Sequence, residues 1–127
     1  MSQSVRDFNI SLTSTNDLSA GTEFLVMKVD TANDHSVVTA TASTDPIVGI
    51  LQNKPKAGAA ADLRFVGTSK VQAGGTITRG DRVTATTGGK VITTTSNKDV
   101  CVGIALASAV SGDVVEIMLT VGTPMSQ

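Results

Sequence analysis

Asp45-Pro46-Ile47-Val48-Gly49-Ile50 and Asp99-Val100-Cys101-Val102-Gly103-Ile104 lie 54 residues apart and read alike. At the same offset Gly58 falls on Gly112, Asp62 on Glu116, Leu63 on Ile117 and Phe65 on Leu119. Ahead of each copy a further segment matches at a different spacing: Ala20-Gly21-Thr22-Glu23-Phe24 against Arg79-Gly80-Asp81-Arg82-Val83. Self-similarity at a fixed offset, this long, reads as two like β units of about 50 residues, roughly 20–71 and 79–122, that pack together around one core. Gly49 and Gly103 fall inside apolar runs, where glycine marks a bulge or a close backbone approach. Gly58 and Gly112 follow eight residues after the isoleucine of each copy.

Outward from the repeat, period-two alternation recurs. Phe8, Ile10 and Leu12 alternate with Asn9 and Ser11. Segments 82–86 and 90–94 flank Thr87-Gly88-Gly89, a Gly-Gly hairpin signal. Further strands are expected at 23–29, 36–41, 47–52, 62–66, 100–106 and 114–121. Val and Thr, 16 and 18 copies, are stiff at the first side-chain torsion and pack well on a pleated surface. No segment keeps apolar spacing at i, i+3, i+4 and i+7 over three turns; residues 57–61 offer one helical turn at most. The fold class is all-β, a barrel or a sandwich, in a single domain spanning 19–127. Residues 1–18 form an N-terminal arm or edge strand ahead of it, with no counterpart in the second unit.

Composition removes several functions. A net charge of −1 and a pI near 5.6 do not suit a protein that holds phosphate backbones. With no Trp, no Tyr and three Phe there is no platform for stacking bases or sugar rings. The one cysteine, Cys101, cannot form an internal disulfide. No apolar h-region opens the chain, and 100–110, its most apolar stretch, is too short to span a bilayer. A soluble protein made in a cytoplasm is expected, with no membrane and no nucleic-acid partner.

Residues that could carry chemistry are few. His35, the single histidine, lies in a turn-like polar stretch and reads as a solvated turn residue, and Cys101 as a small buried strand residue; a Cys101–His35 hydrolase is the enzymatic alternative. The acidic residues are spread out, so no metal, cofactor or catalytic set is indicated. Gly88-Gly89-Lys90 lacks the flanks of a phosphate loop. Arg79-Gly80-Asp81 spells an adhesion tripeptide but reads as a tight turn. Asn9-Ile10-Ser11 fits a glycosylation sequon that a chain without an export signal does not use. Lys54, Lys56, Arg64 and Lys70 form a modest basic cluster that reads as solvated. Val5, Phe8, Ile10 and Leu12 can either add a strand to another chain's sheet edge or form an edge strand of this domain.

Gly80-Asp81-Arg82-Val83, Val102-Gly103-Ile104-Ala105-Leu106 and Ser111-Gly112-Asp113-Val114-Val115, with the Thr/Gly/Ala-rich composition, resemble the tailed-phage capsid cement (head decoration) proteins. The resemblance covers about 19–122 and is best in the second half. In the first half Gln52-Asn53-Lys54-Pro55-Lys56 replaces a small-residue run, and Ala59 rather than an acidic residue follows Gly58. The resemblance implies a compact β-clip or β-tulip-like fold and no catalytic residues. It also implies homotrimers at threefold or quasi-threefold positions on the capsid exterior, where each bridges neighbouring major capsid protein subunits. A tail or baseplate component, or a surface carbohydrate-binding or adhesion module, is the rival reading.

Overall fold

A computed structural model describes residues 8–19, 23–95 and 99–124. Among them are ten strands and no α-helix: β1 (Phe8–Ser14), β2 (Val26–Val29), β3 (Ser36–Thr39), β4 (Ile47–Leu51), β5 (Ala60–Val66), β6 (Thr68–Gln72), β7 (Arg82–Ala85), β8 (Val91–Thr93), β9 (Val100–Ala105) and β10 (Val114–Pro124). The all-β expectation holds, and nine of these strands fall on segments read from the sequence. β6 was not anticipated. Its sequence, Thr-Ser-Lys-Val-Gln, offers one apolar residue, and Ser69 takes the second inward position beside Val71. The buried Ser69 hydroxyl accepts from Gln52 Nε2 at 2.8 Å and donates to the Lys70 carbonyl at 2.9 Å, so the polar group is satisfied where a hydrophobic one would be expected.

The strands form a closed five-stranded barrel, β1-β3-β2-β4-β5, and a five-stranded sheet in the order β6-β10-β9-β7-β8. The two follow one plan. β1 is antiparallel to β5 with Leu12 opposite Ala61; β6 is antiparallel to β10 with Val71 opposite Val115. The barrel closes through a short parallel contact, Ser14 with Val37, and its equivalent in the second sheet is the single parallel bridge Ala73–Val91. β1 therefore does have a counterpart, β6, against the expectation from sequence; β6 lacks the Phe-Ile-Leu alternation of β1, so the match does not show in the sequence. Nor is β1 an edge strand, since it is paired on both flanks.

The apolar residues divide into two cores rather than the one expected. Met27, Val37, Leu51, Ala61 and Leu63 fill the barrel, with Leu12, Leu18, Leu25 and Val48 packed around them. The larger core joins Val71, Val83, Val91, Val102, Val115, Ile117 and neighbours in the second unit to Val26, Ala40, Ile47 and Ile50 of the first. Each such Val, Leu, Ile or Met side chain contributes roughly 1.5–3 kcal/mol on full burial. The split arises because alternate residues of β2 and β4 point inward to the barrel and outward to the second unit: Met27 and Leu51 one way, Val26 and Ile50 the other.

Gly49 and Gly103 occupy matching places in β4 and β9. A Cβ on Gly49 would lie 2.8 Å from the Arg64 carbonyl oxygen, and one on Gly103 would overlap the Met118 carbonyl oxygen. Arg64 and Met118 are themselves 54 residues apart.

Candidate functional site

Carboxylates that could have served chemistry are spent on turns. Asp45 Oδ2 accepts the backbone N–H of Thr41 and Ala42 at 2.8 and 2.9 Å and pairs with Lys28 at 3.5 Å. Burial pushes its carboxyl up, but the two N–H groups and the Lys28 ammonium outweigh that and hold it below the usual aspartate range. Asp30 is lowered by the Thr15 hydroxyl first, then by Asn33 and the Ala32 N–H. Asp17 is lowered by the hydroxyl and N–H of Ser19. Asp81 accepts from Thr78 N–H and Thr93 Oγ1, and Asp113 from Val110 N–H. With Gly80 at φ +91°, Arg79-Gly80-Asp81 is the tight turn its composition suggests. Among the described residues no His, Cys, Asp and Glu cluster could hold a metal ion.

His35 lies on the exposed turn between β2 and β3, beside Ser11, Leu12, Thr13, Gly58 and Ala60 around a shallow concavity that does not include Cys101. Cys101 is buried in β9; its thiol donates to the Gly103 carbonyl at 3.5 Å and accepts from Thr120 Oγ1 at 3.4 Å. The basic cluster is likewise not one patch: Lys54 pairs with Glu23, while Arg64 binds Asn9 Oδ1 and the Thr68 carbonyl.

The N-terminal residues read as partner contacts separate. Val5 lies outside the described residues. Phe8 pairs through its backbone with Val66, within the chain. Leu12, half-buried, packs against the barrel core opposite Ala61. Ile10, 39 % exposed, stays at the surface. Gly58 and Gly112, at φ +82° and +95°, are turn residues with open space around them, and donate N–H bonds to Ser14 and Ala73 at the ends of β1 and β6.

Sequence reading missed the outer face of the second unit. Along β10 the inward Val115 and Ile117 alternate with outward Val114, Glu116 and Met118. Met118 stands opposite Ile104, and Leu106 N–H bonds the Glu116 carbonyl. Leu106, Val114 and Met118, each about half exposed, thus lie on one side of β9 and β10. Glu116 stands between Val114 and Met118 on this face, with Lys70 opposite it on β6, so the exposed apolar side chains are interspersed with charge. The signal in the sequence is the alternation in 114–119, which says that one set faces out but not that no described residue covers it.

Comparisons with known proteins agree with this architecture. Residues 6–121 match the phage cement protein family. The fold is similar to the crystal structure of the N base of head fiber gp8.5 in bacteriophage phi29, with a TM-score of 0.68 and 17% identity, covering 90% of this chain and 94% of that one. No curated protein sequence matches. With the family match running through both β units from β1 to β10, the chain belongs to the phage cement proteins, and its role is that of a capsid-associated structural protein of the virion.

Proposed function

We propose that this chain binds the outside of an assembled phage head and stabilises it by bridging neighbouring major capsid protein subunits, as a homotrimer seated at threefold or quasi-threefold positions. The observation that carries the reading is the family match over nearly the whole chain. The apolar outer face of β9 and β10 supports it by supplying a surface for the shell. Anything that binds the closed shell but not its opened state stabilises the shell by mass action, by about 2.7 kcal/mol per site at a hundredfold excess over Kd. Many copies on a repeating lattice multiply a modest contact. Synthesis in the host cytoplasm completes the reading, which needs no cofactor, nucleic acid or membrane.

Heads lacking the protein are heated with and without it at saturating occupancy. The expected result is a higher disruption temperature with the protein, and loss of that gain for Val114→Glu and Met118→Glu, whose exposed positions leave the fold intact. An unchanged disruption temperature at full occupancy rejects the proposal.

A further inference from the structure

The turn between β7 and β8 is a plug. Gly89 donates its N–H to the Ala40 carbonyl at 2.9 Å. A Cβ there would lie 2.7 Å from Thr39 Cγ2, 3.0 Å from Leu25 Cβ and 3.0 Å from the Val26 carbonyl oxygen. The turn of the second unit thus seats in a niche of the first, between the start of β2 and the end of β3. Its φ of +76° presents bare backbone to the niche.

Each half of this joint has a counterpart that no described segment of the chain joins to the other. Val26 stands opposite Ile50 as Arg82 stands opposite Ile104, and Met27 opposite Thr39 as Val83 opposite Thr93. Ala40 N–H bonds the Val26 carbonyl and Thr94 N–H the Arg82 carbonyl, both at 2.9 Å. Phe24 and Gly80, both at positive φ, donate N–H bonds to Leu51 and Ala105, again both at 2.8 Å. The niche in the second unit is therefore Gly80, Asp81, Arg82, Thr93, Thr94 and Thr95, and these residues line an open concavity of about 370 Å³. On the plug side, Asp30 N–H bonds the Ser36 carbonyl as Thr86 N–H bonds that of Lys90. That register puts His35 where Gly89 stands, and His35 too has a positive φ, +54°.

We propose that the niche at Gly80–Arg82 and Thr93–Thr95 of one copy receives the exposed 31–35 turn of a second copy, repeating between chains the joint made within each chain. The chemistry suits the difference in setting. The internal niche is apolar, with Leu25, Val26 and Ala40, and a glycine fills it permanently. The open niche is polar: the Asp81 carboxylate is taken up by Thr78 N–H and Thr93 Oγ1, while Arg82 beside it has no ion-pair partner among the described residues, nor has Asp34 on the turn that would enter. His35 has the Cβ that Gly89 lacks, so it seats further out than Gly89, whose own Cβ would meet Thr39 and the Val26 carbonyl oxygen. A polar joint with an Arg82–Asp34 pairing orients association without leaving an apolar end exposed on the free chain. Plug and socket differ, so the contact is heterologous and builds a ring when its rotation closes. The inference rests on the self-association in the proposed function; three copies closing this way would set six like units around one axis.

Two variants test it. Charge reversal at either end, Asp34→Lys or Arg82→Glu, is expected to weaken self-association by about tenfold, and the two together to restore it. Both residues are exposed, so folding is unaffected. Under mild oxidation His35→Cys with Thr93→Cys is expected to give a covalent ladder between chains, in concentrated solution or on loaded heads, that neither single variant gives. Unchanged association for both reversals, a double reversal no better than the singles, or no ladder in either setting overturns the joint. Heads that ignore a chain whose copies do associate through this joint would overturn the proposed function and leave the joint standing.

Discussion

At Gly103 an added methyl group meets the carbonyl oxygen of Met118, a backbone atom that cannot rotate away. Gly103→Ala is therefore expected to cost about 2–3 kcal/mol, as overpacking does, and Gly49→Ala nearly as much against Arg64. Gly112→Ala and Gly58→Ala meet no neighbour and bear only the left-handed backbone, about 1–2 kcal/mol. Chemical denaturation of the four variants checks this order. Asp45 supplies a second expectation. Its folded pKa, like those of Asp17 and Asp30, lies below the ordinary aspartate value of 3.8. A lowered carboxyl contributes stability that is complete above the unfolded value and lost as pH falls through the folded one. Thermal stability should thus decline below about pH 4, and Asp45→Asn should be less stable at neutral pH with a shallower acid decline. The mid-strand place of the glycines was legible in the sequence; which carbonyl each one faces was not, because the facing atom belongs to another strand.

Among the elements, β1 discriminates most sharply. Its residues bond β5 on one side and β3 on the other, and Leu12 packs against the barrel core. Removing residues 1–14 is expected to open the first barrel and abolish its cooperative melting, measured by circular dichroism. An N-terminal arm acting only in trans would leave melting intact and loosen association alone. The 82–94 hairpin was readable because Gly88 and Gly89, both at positive φ, sit between two alternating runs. β6 was not, since Ser69 occupies an inward position that pattern reasoning reserves for apolar residues. Whether a serine can be buried depends on Gln52, 17 residues away, reaching its hydroxyl.

Across the whole molecule, the two units are joined by Val26, Ala40, Ile47 and Ile50 entering the larger core and by the Gly89 plug. Neither unit can keep its surface if the other unfolds, so a single calorimetric transition is expected, with calorimetric and van't Hoff enthalpies equal; two resolved transitions would show independent units. By itself the sequence determined the strand class, the repeat, the mid-strand glycines and the likeness to cement proteins, because alternation and glycine placement act over a few neighbouring residues. The tertiary structure alone decided that the first unit closes into a barrel, that there are two cores, and that one niche is filled while its counterpart stays open among the described residues. Those outcomes turn on which face of a strand another segment covers, and period-two alternation encodes that there are two faces without naming what lies against either.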